Sequence, residues 1–313
     1  ALPGGIGWYR KTFKTPELKD KIISVEFDGV FMNSTVYVNG HEVGHRPYGY
    51  SSFSYDITEY LNPAGRENVI AVRCDNSEQP NSRWYAGCGI YRNVRLVETS
   101  DVYVEYNGTY ITTPSVNPNS AIVNAVVTIS NKSSKTKSIA LTNTIYNAED
   151  KQVRKSQKEL VIKAGESVDV AMDMQVPSPK LWHTDNPYMY RLESALRVNN
   201  DVTDKYTTYF GIRTIEFDAD SGFYLNGKNI KLKGVCMHHD LGMLGAAENK
   251  AAIRRQLELL KSMGCDAIRT SHNMPAPELV AACDEMGMML MLESFDEWKS
   301  AKVSNGYNKI FDE

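Results

Sequence analysis

An alternation of apolar and polar residues with period two runs through the first two thirds of the chain, and it constrains the fold more than any other feature. Successive side chains of a β-strand point to opposite faces, so this spacing places one face against a core and the other toward water. In the run IISVEFDG we expect Ile23, Val25 and Phe27 to be buried, and the polar residues, including Asp28, to point outward. The first two thirds of the chain are therefore predicted to be all-β.

Asparagine-glycine dipeptides mark tight turns in this pattern. Asn39-Gly40 and Asn226-Gly227 each separate two strand-like runs, and the positive φ angles of a type I′ turn favour this dipeptide. Residues 1–99 are predicted to form one β-sandwich. Residues 100–213 are richer in Ser, Thr, Asn and Lys and carry regularly spaced strand-like runs, which is typical of a seven-strand immunoglobulin-like sandwich.

The period changes in residues 214–313. The run NKAAIRRQLELLKSMG has apolar residues at helical spacing and ends at Gly264, and a second helix is predicted between Pro277 and Gly287. The strand-like runs DAIRTS and MMLMLES alternate with these helices. Strands and helices that alternate at this spacing are typical of parallel βα units.

Length and composition exclude several classes of protein. The 313 residues, of which 42% are hydrophobic, are enough for two or three domains. Lys and Arg number 35 and Asp and Glu 38, and neither sign is clustered, so we expect no nucleic-acid partner. The longest apolar run, MGMMLML, is far shorter than the roughly 20 residues of a membrane helix, so we expect no membrane span.

The chain opens with ALPGGIGWYR, which lacks a charged leader followed by an apolar stretch. This start fits a cytosolic protein, or an exported protein whose leader has been removed. Between these alternatives a periplasmic or secreted location is favoured. Formation of a homo-oligomer is left open.

Polar side chains follow three of the predicted strands, in GVCMHHD, AIRTSHN and MLESFDEW. In parallel α/β architectures, above all in the eight-stranded barrel, the carboxyl ends of the strands face the active site. We therefore expect these side chains to converge on one rim. The residues are His238, His239, Asp240, Arg269, Ser271, His272, Asn273, Glu293, Asp296, Glu297 and Trp298.

Other interpretations of this rim are open. A single histidine after a strand is often a helix cap or a satisfied loop residue, but three polar strand ends together favour a functional site. A metal site is a further alternative, because His, Asp and Glu are metal ligands. However, His238 and His239 are adjacent and point opposite ways in an extended strand, and the fixed charge of Arg269 would repel a cation. Arg269 suits a carboxylate or a sugar hydroxyl better.

The stretch AIRTSHNMPAPELVAACDEMGMML resembles a signature of glycoside hydrolase family 2, the family of β-galactosidases, β-glucuronidases and β-mannosidases. IKLKGVCMHHDLG resembles the first barrel strand of that family, and NSRWYAGCGIYRNVRLVE resembles the end of its amino-terminal sugar-binding domain. The resemblance spans essentially the whole chain. It implies a multidomain protein: an all-β jelly-roll sandwich (1–99), an immunoglobulin-like β-sandwich (100–213) and the start of a (β/α)8 TIM barrel (214–313).

The resemblance also implies retaining hydrolysis without a cofactor, in which one glutamic acid protonates the leaving oxygen and a second glutamate attacks the anomeric carbon. Residues 214–313 number 100 (313 − 214 + 1), whereas a complete barrel needs roughly 250. No segment resembles the Asn-Glu stretch of the family's acid/base residue, and no candidate for the nucleophile is found. We therefore expect an amino-terminal portion that is truncated within the barrel and inactive alone.

Matching positions imply a substrate-binding set. His238 and His272 would hydrogen-bond the sugar at the non-reducing end, Asp240 would accept a hydroxyl from the same ring, and Arg269 would orient the nucleophile. These roles are carried over from the resemblance residue by residue.

Three further residues complete the candidates. Asn81 and Arg83, in the loop before the tryptophan of NSRWYAG, would reach over the barrel mouth from the first domain, although a plain surface loop fits as well. Glu297 falls where some members place a magnesium ligand. Lys299 replaces the expected partner histidine, so we expect no metal.

The run MHHDLGMLGAA looks more like the galactosidase branch than the glucuronidase branch, so the expected partner is a β-galactoside. A β-glucuronidase of the same family is the first alternative. A non-catalytic carbohydrate-binding module and a metal-dependent barrel hydrolase stay open, but neither explains IRTSHNMP as well.

Overall fold

The computed structural model describes residues 4–79 and 87–311. Up to Ser100 the described residues form strands and one short 3-10 helix, Thr58–Tyr60. The strands are β1 (Ile6–Lys14), β2 (Lys21–Phe27), β3 (Val30–Phe31), β4 (Ser34–Val38), β5 (His41–Arg46), β6 (Phe53–Asp56), β7 (Glu67–Asp75), β8 (Gly89–Ile90) and β9 (Val94–Ser100). β1-β7-β4-β5, which is antiparallel, and β6-β2-β9 are the two sheets of a jelly-roll sandwich, and β3 pairs with β8.

The alternation in β2 is confirmed, with one exception. Ile23, Val25 and Phe27 are at most 2% exposed and lie in the core of this sandwich. Asp28 was expected to point outward, and that expectation is wrong: it is 3% exposed, and its Oδ2 lies 2.7 Å from Nη1 of Arg95. The alternation ends with the strand at Phe27, so it does not determine where the next side chain points.

The following residues form the predicted immunoglobulin-like sandwich. Its sheets are β10-β11-β14 and β13-β12-β17-β18, seven strands in all, and a small β15-β16 pair lies beside them in the chain. The strands are β10 (Val102–Asn117), β11 (Ser120–Asn131), β12 (Lys137–Tyr146), β13 (Gln152–Ile162), β14 (Ser167–Pro177), β15 (Trp182–His183), β16 (Asn186–Pro187), β17 (Tyr190–Val198) and β18 (Asp201–Phe210). The core is formed by the inward residues of the two sheets, including Leu141 and Leu196.

The last part contains an antiparallel hairpin sheet and then parallel βα units. The elements are β19 (Ile215–Asp218), β20 (Gly222–Leu225), β21 (Lys228–Asn229), β22 (Gly234–Met237), α1 (Lys250–Ser262), β23 (Ala267–Thr270), α2 (Pro277–Met286) and β24 (Met289–Met291), with 3-10 helices at Gly242–Leu244 and Tyr307–Ile310. β22, β23 and β24 are parallel neighbours, as the start of a (β/α)8 barrel requires.

Local signals at the helix and turn ends are also confirmed. The Oδ1 atom of Asn249 accepts a hydrogen bond from the Ala252 amide (3.0 Å) and caps α1, and Gly264 follows this helix with φ 87°. The Asn-Gly turns between β4 and β5 and between β20 and β21 have positive φ at both residues.

The chain divides into two compact units. One contains the segments up to Glu98, Lys233–Cys283 and from Met289 onward, and the other contains Thr99–Leu232 and Asp284–Met288. The first sandwich and the barrel strands thus lie in the same unit. The domain boundaries at 99 and 213 stay a prediction. In the described part, no helix is both long and apolar enough to cross a bilayer.

A buried arginine joins the first sandwich to the loop after β23. Arg92 is 6% exposed; its Nη1 donates to the carbonyl oxygens of Asp28 (3.2 Å) and Tyr50 (2.7 Å), and its Nη2 donates to that of Met274 (2.9 Å). The loop after β24 is held similarly, because the Tyr48 hydroxyl donates to the Ser294 carbonyl (2.5 Å). The sandwich therefore fixes the loops at the carboxyl ends of two barrel strands.

We predict that Arg92→Lys lowers the free energy of unfolding by about 2–4 kcal/mol, because one ammonium group cannot replace a planar fork that reaches three carbonyls. Urea denaturation measures this difference. Arg197→Lys is the matched control: Arg197 is exposed, its Nη1 donates to the Asn200 carbonyl (2.8 Å), and its substitution should cost less than about 0.5 kcal/mol. Equal losses in the two variants would contradict the role of Arg92.

Candidate functional site

Three strand ends converge in the first unit, as the sequence predicts, although Ser271, Asn273 and Asp296 of the expected rim are buried. His238 directly follows β22, and His272 and Glu293 lie two residues after β23 and β24. Parallel neighbours end at the same edge of a sheet, so side chains at these positions come together. The ring of His238 is 5.8 Å from that of His272, centroid to centroid and nearly perpendicular to it.

Glu293 is the centre of this cluster. Arg269 Nε donates to Glu293 Oε1 (2.5 Å), and the guanidinium Nη2 also contacts this oxygen. His272 Nδ1 lies 2.6 Å from the other oxygen, Oε2, and 3.2 Å from Arg269 Nη2. We call Arg269, His272, Glu293 and His238 the rim cluster.

In the rim cluster, Glu293 and Arg269 each stabilise the charged form of the other. Burial by itself would raise the pKa of the Glu293 carboxyl, but the hydrogen bonds from His272 and Arg269 outweigh burial and lower it. The contacts of Arg269 with the Cys236 thiol and with Glu293 raise the pKa of its guanidinium. Glu293 is therefore an anion and Arg269 a cation at neutral pH, and their charges cancel.

Asp240 and His239 lie outside the rim cluster. Asp240 is exposed, and its described hydrogen bonds are made by its backbone, whose amide donates to the His238 carbonyl and whose oxygen accepts from Gln256 Nε2 (3.0 Å). The His239 ring is 5.0 Å from that of Tyr50. The adjacent histidines thus contact different neighbours, as expected from alternation. Sugar binding by Asp240 stays a prediction.

Glu297 does not lie on the rim, and the expectation that it would is wrong. Its side chain is fully buried, and its Oε1 and Oε2 accept hydrogen bonds from the amides of Lys302 (3.0 Å) and Asn308 (3.1 Å). The chain after β24 folds around the Glu297 carboxylate, and the two carboxylate oxygens stabilise this loop. The other weakly supported candidates, Asn81 and Arg83, fall outside the described residues.

A second acidic cluster lies in the same unit. Carboxylate oxygens of Asp28, Glu248 and Glu278 lie within 4.8 Å of one another. Arg95 bonds both Asp28 (2.8 Å) and Glu278 (3.3 Å). Burial and the neighbouring Glu278 raise the pKa of Glu248 to about 8. Burial opposes the charge of Glu278, but its neighbours Glu248 and Arg95 lower its pKa. A proton on Glu248 therefore relieves the repulsion in this cluster.

A cavity next to this cluster is too small for a sugar. It has a volume of about 50 Å³ and is lined by Glu248, His239 and Asn273, among others. Binding sites for small molecules are roughly 300 Å³ or larger, whereas a buried water needs about 10–15 Å³ of such a cavity. Arg269 and His272 of the rim cluster are each more than one third exposed, so solvent and small molecules can reach them.

Glu293 was expected on the rim but was given no role from the sequence, and Arg92 was not singled out at all. Glu293 belongs to a polar strand end, and its position two residues after a barrel strand was a usable signal. Nothing comparable exists for Arg92, whose partner Met274 is 182 residues away in the chain.

We predict that the stability of the protein falls as the pH rises between about 4.5, the usual pKa of Glu, and about 8. In this window folded Glu248 keeps a proton that the unfolded chain releases, so rising pH favours unfolding. Glu248→Gln should remove this slope and raise the melting temperature relative to wild type toward pH 8, measured by differential scanning fluorimetry. Glu258→Gln, at an exposed position in α1, should change the slope little. A wild-type slope retained in E248Q would refute the assignment.

We predict that Glu297→Ala speeds amide hydrogen exchange at Lys302 and Asn308, because two amides lose their acceptors, at roughly 1–3 kcal/mol each. NMR-detected exchange measures this effect, with Glu258→Ala as the control at an exposed position. If Mg²⁺ stabilised the wild type and not E297A, Glu297 would instead be a metal ligand.

Comparison with known proteins places the chain in one family. Residues 3–100 match the sugar binding domain of the glycosyl hydrolases family 2, residues 102–213 match a further model of glycosyl hydrolases family 2, and residues 218–312 match the TIM barrel domain of that family.

Individual relatives agree. The β-galactosidase BoGH2A of Bacteroides ovatus is 49% identical over 100% of this chain and 37% of its own length. A crystal structure of a family 2 member from Bacteroides cellulosilyticus has a TM-score of 0.95 at 40% identity, covering 99% of this chain and 40% of that one. Bacteroides uniformis β-glucuronidase 2, covalently bound to cyclophellitol-6-carboxylate aziridine, has a TM-score of 0.88 at 31% identity, covering 96% and 38%.

The chain thus spans less than half the length of these relatives, and the three family models together match it almost from end to end. Its jelly-roll sandwich, immunoglobulin-like sandwich and parallel barrel strands occur in the order that the models match. The chain belongs to glycoside hydrolase family 2.

Proposed function

We propose that the protein containing these residues is a retaining glycoside hydrolase that releases non-reducing terminal β-galactose from β-galactosides. The observation that carries this proposal is the rim cluster at the carboxyl ends of β22, β23 and β24, in a chain 49% identical along its whole length to a β-galactosidase. Its residues offer imidazole and guanidinium groups, which suit sugar hydroxyls.

The described residues bind and orient the sugar in this proposal. His238 and His272 hold hydroxyl groups, and Arg269 directs the nucleophile. A retaining enzyme needs two further carboxyl groups about 5–5.5 Å apart, one acid/base and one nucleophile. Within the rim cluster the carboxylate is Glu293, which is already bonded to Arg269 and His272, so these 313 residues alone should not turn over substrate. The covalent ligand on the β-glucuronidase 2 relative supports a nucleophilic route.

The balance of charge in the rim cluster supports a neutral sugar. Glu293 cancels the charge of Arg269, so this guanidinium is less suited to bind the carboxylate of a glucuronide. β-Glucuronidase is nevertheless the second candidate, because a solved relative with the same fold is a β-glucuronidase.

The test compares the 313-residue chain with a longer chain that includes all eight barrel strands, using 4-nitrophenyl β-galactoside and β-glucuronide. We expect turnover of the galactoside by the longer chain and of neither substrate by the shorter one. His272→Ala in the longer chain should lower kcat/KM by about tenfold or more, because it removes a hydrogen bond to the sugar. Faster turnover of the glucuronide would favour the second candidate, and hydrolysis by the 313 residues would contradict the division of roles.

A further inference from the structure

The position of Glu293 is fixed from its backbone as well as from its side chain. Its amide donates to Oγ1 of Thr270 (3.0 Å), which is 4% exposed at the end of β23. Each of its two carboxylate oxygens contacts a different side chain: Oε1 contacts Arg269, and Oε2 contacts His272. The carboxyl group therefore sets the distance and angle between these two side chains.

The same contacts determine where the proton of His272 lies. An ionised carboxylate only accepts hydrogen bonds, so Nδ1 of His272, 2.6 Å from Oε2, must carry a hydrogen and donate it. Arg269 Nη2, the other neighbour of Nδ1, is itself a donor and cannot accept that hydrogen. In a neutral ring the remaining nitrogen, Nε2, then bears a lone pair.

We propose that Glu293 is a positioning residue for sugar binding: it fixes the Nδ1–H tautomer of His272, so that Nε2 accepts a hydrogen bond from a sugar hydroxyl, and it aims the Arg269 guanidinium beside it. The acceptor on His272 then binds a hydroxyl group of the sugar, and the donors of Arg269 direct the nucleophile, as in the proposed function. The part concerning sugar rests on the proposed function, whereas the tautomer is a property of the protein alone.

Glutamine at position 293 reverses this arrangement while keeping its shape. Arg269 has only donors, so the amide oxygen should turn toward Nε of Arg269 and the NH₂ group toward His272. Nδ1 must then supply a lone pair, and the hydrogen moves to Nε2. Aspartate keeps the negative charge on a side chain one methylene shorter, so Glu293→Asp should retain the original tautomer.

Long-range ¹H–¹⁵N NMR of the 313-residue chain at about pH 8.5, above the ordinary histidine pKa, tests the positioning role. His272→Gln assigns the ring among the six histidines. We expect a pyrrole-type Nδ1 and a pyridine-type Nε2 in the wild type and in E293D, and the reverse in E293Q. Glu258→Gln should leave the pattern unchanged. An Nε2–H tautomer in the wild type, or unchanged shifts in E293Q, would overturn the proposal. Unchanged signals from the other histidines exclude unfolding as the cause.

Titration of the same samples with methyl β-galactoside tests the role of Glu293 in sugar binding. We expect it to shift Nε2 of His272 in the wild type, and E293Q to weaken binding by about tenfold or more, with partial rescue by E293D. Binding of equal strength in wild type and E293Q would overturn the role in sugar binding. If the tautomer reverses in E293Q but neither the wild type nor any variant binds the sugar, the β-galactoside assignment is contradicted. The positioning of His272 by Glu293 would still hold.

Discussion

The burial of the Arg92 guanidinium constrains the rest of the first unit. A cation at 6% exposure is tolerable only if its hydrogen bonds are satisfied. Arg92 donates to carbonyls before β3, after β5 and in the loop after β23. The first sandwich thus holds the loop that carries His272, through the hydrogen bond from Arg92 to the Met274 carbonyl. The geometry of the rim cluster depends on this support, because barrel strands by themselves determine where a loop starts but not where it runs.

The unit contains two groups of carboxylates, and charge is balanced differently in each. At the rim, Glu293 is paired with Arg269 and bonded to His272, and its pKa falls. Next to Arg92, the carboxyl groups of Asp28, Glu248 and Glu278 outnumber their cationic partners, so burial and mutual repulsion leave a proton on Glu248. The first arrangement keeps a fixed anion available to orient other groups. The second joins the sandwich to the barrel segment and makes that contact sensitive to pH.

The sequence predicted the features that follow from local periodicity. The two sandwiches, the Asn-Gly turns, the helix ends and the parallel order of β22, β23 and β24 all follow from spacing and from glycine or asparagine at particular positions. Convergence of His238, Arg269 and His272 followed from the rule that parallel strands share an edge. Asp28 and the Arg92 contacts could not be predicted in this way, because they depend on segments far apart in the chain that no local pattern relates.

Two glutamates after β24 show where the strand-end rule stops. Glu293 lies two residues past the strand, and its backbone amide is still bonded to Thr270 of the neighbouring β23, so its side chain stays at the shared edge. Glu297 lies four residues further, beyond that connection, and its carboxylate instead accepts the amides of Lys302 and Asn308. A polar side chain after a strand thus stays at the rim only while its backbone is still bonded to the neighbouring strand. Further along the loop, the side chain instead accepts hydrogen bonds that stabilise the loop itself.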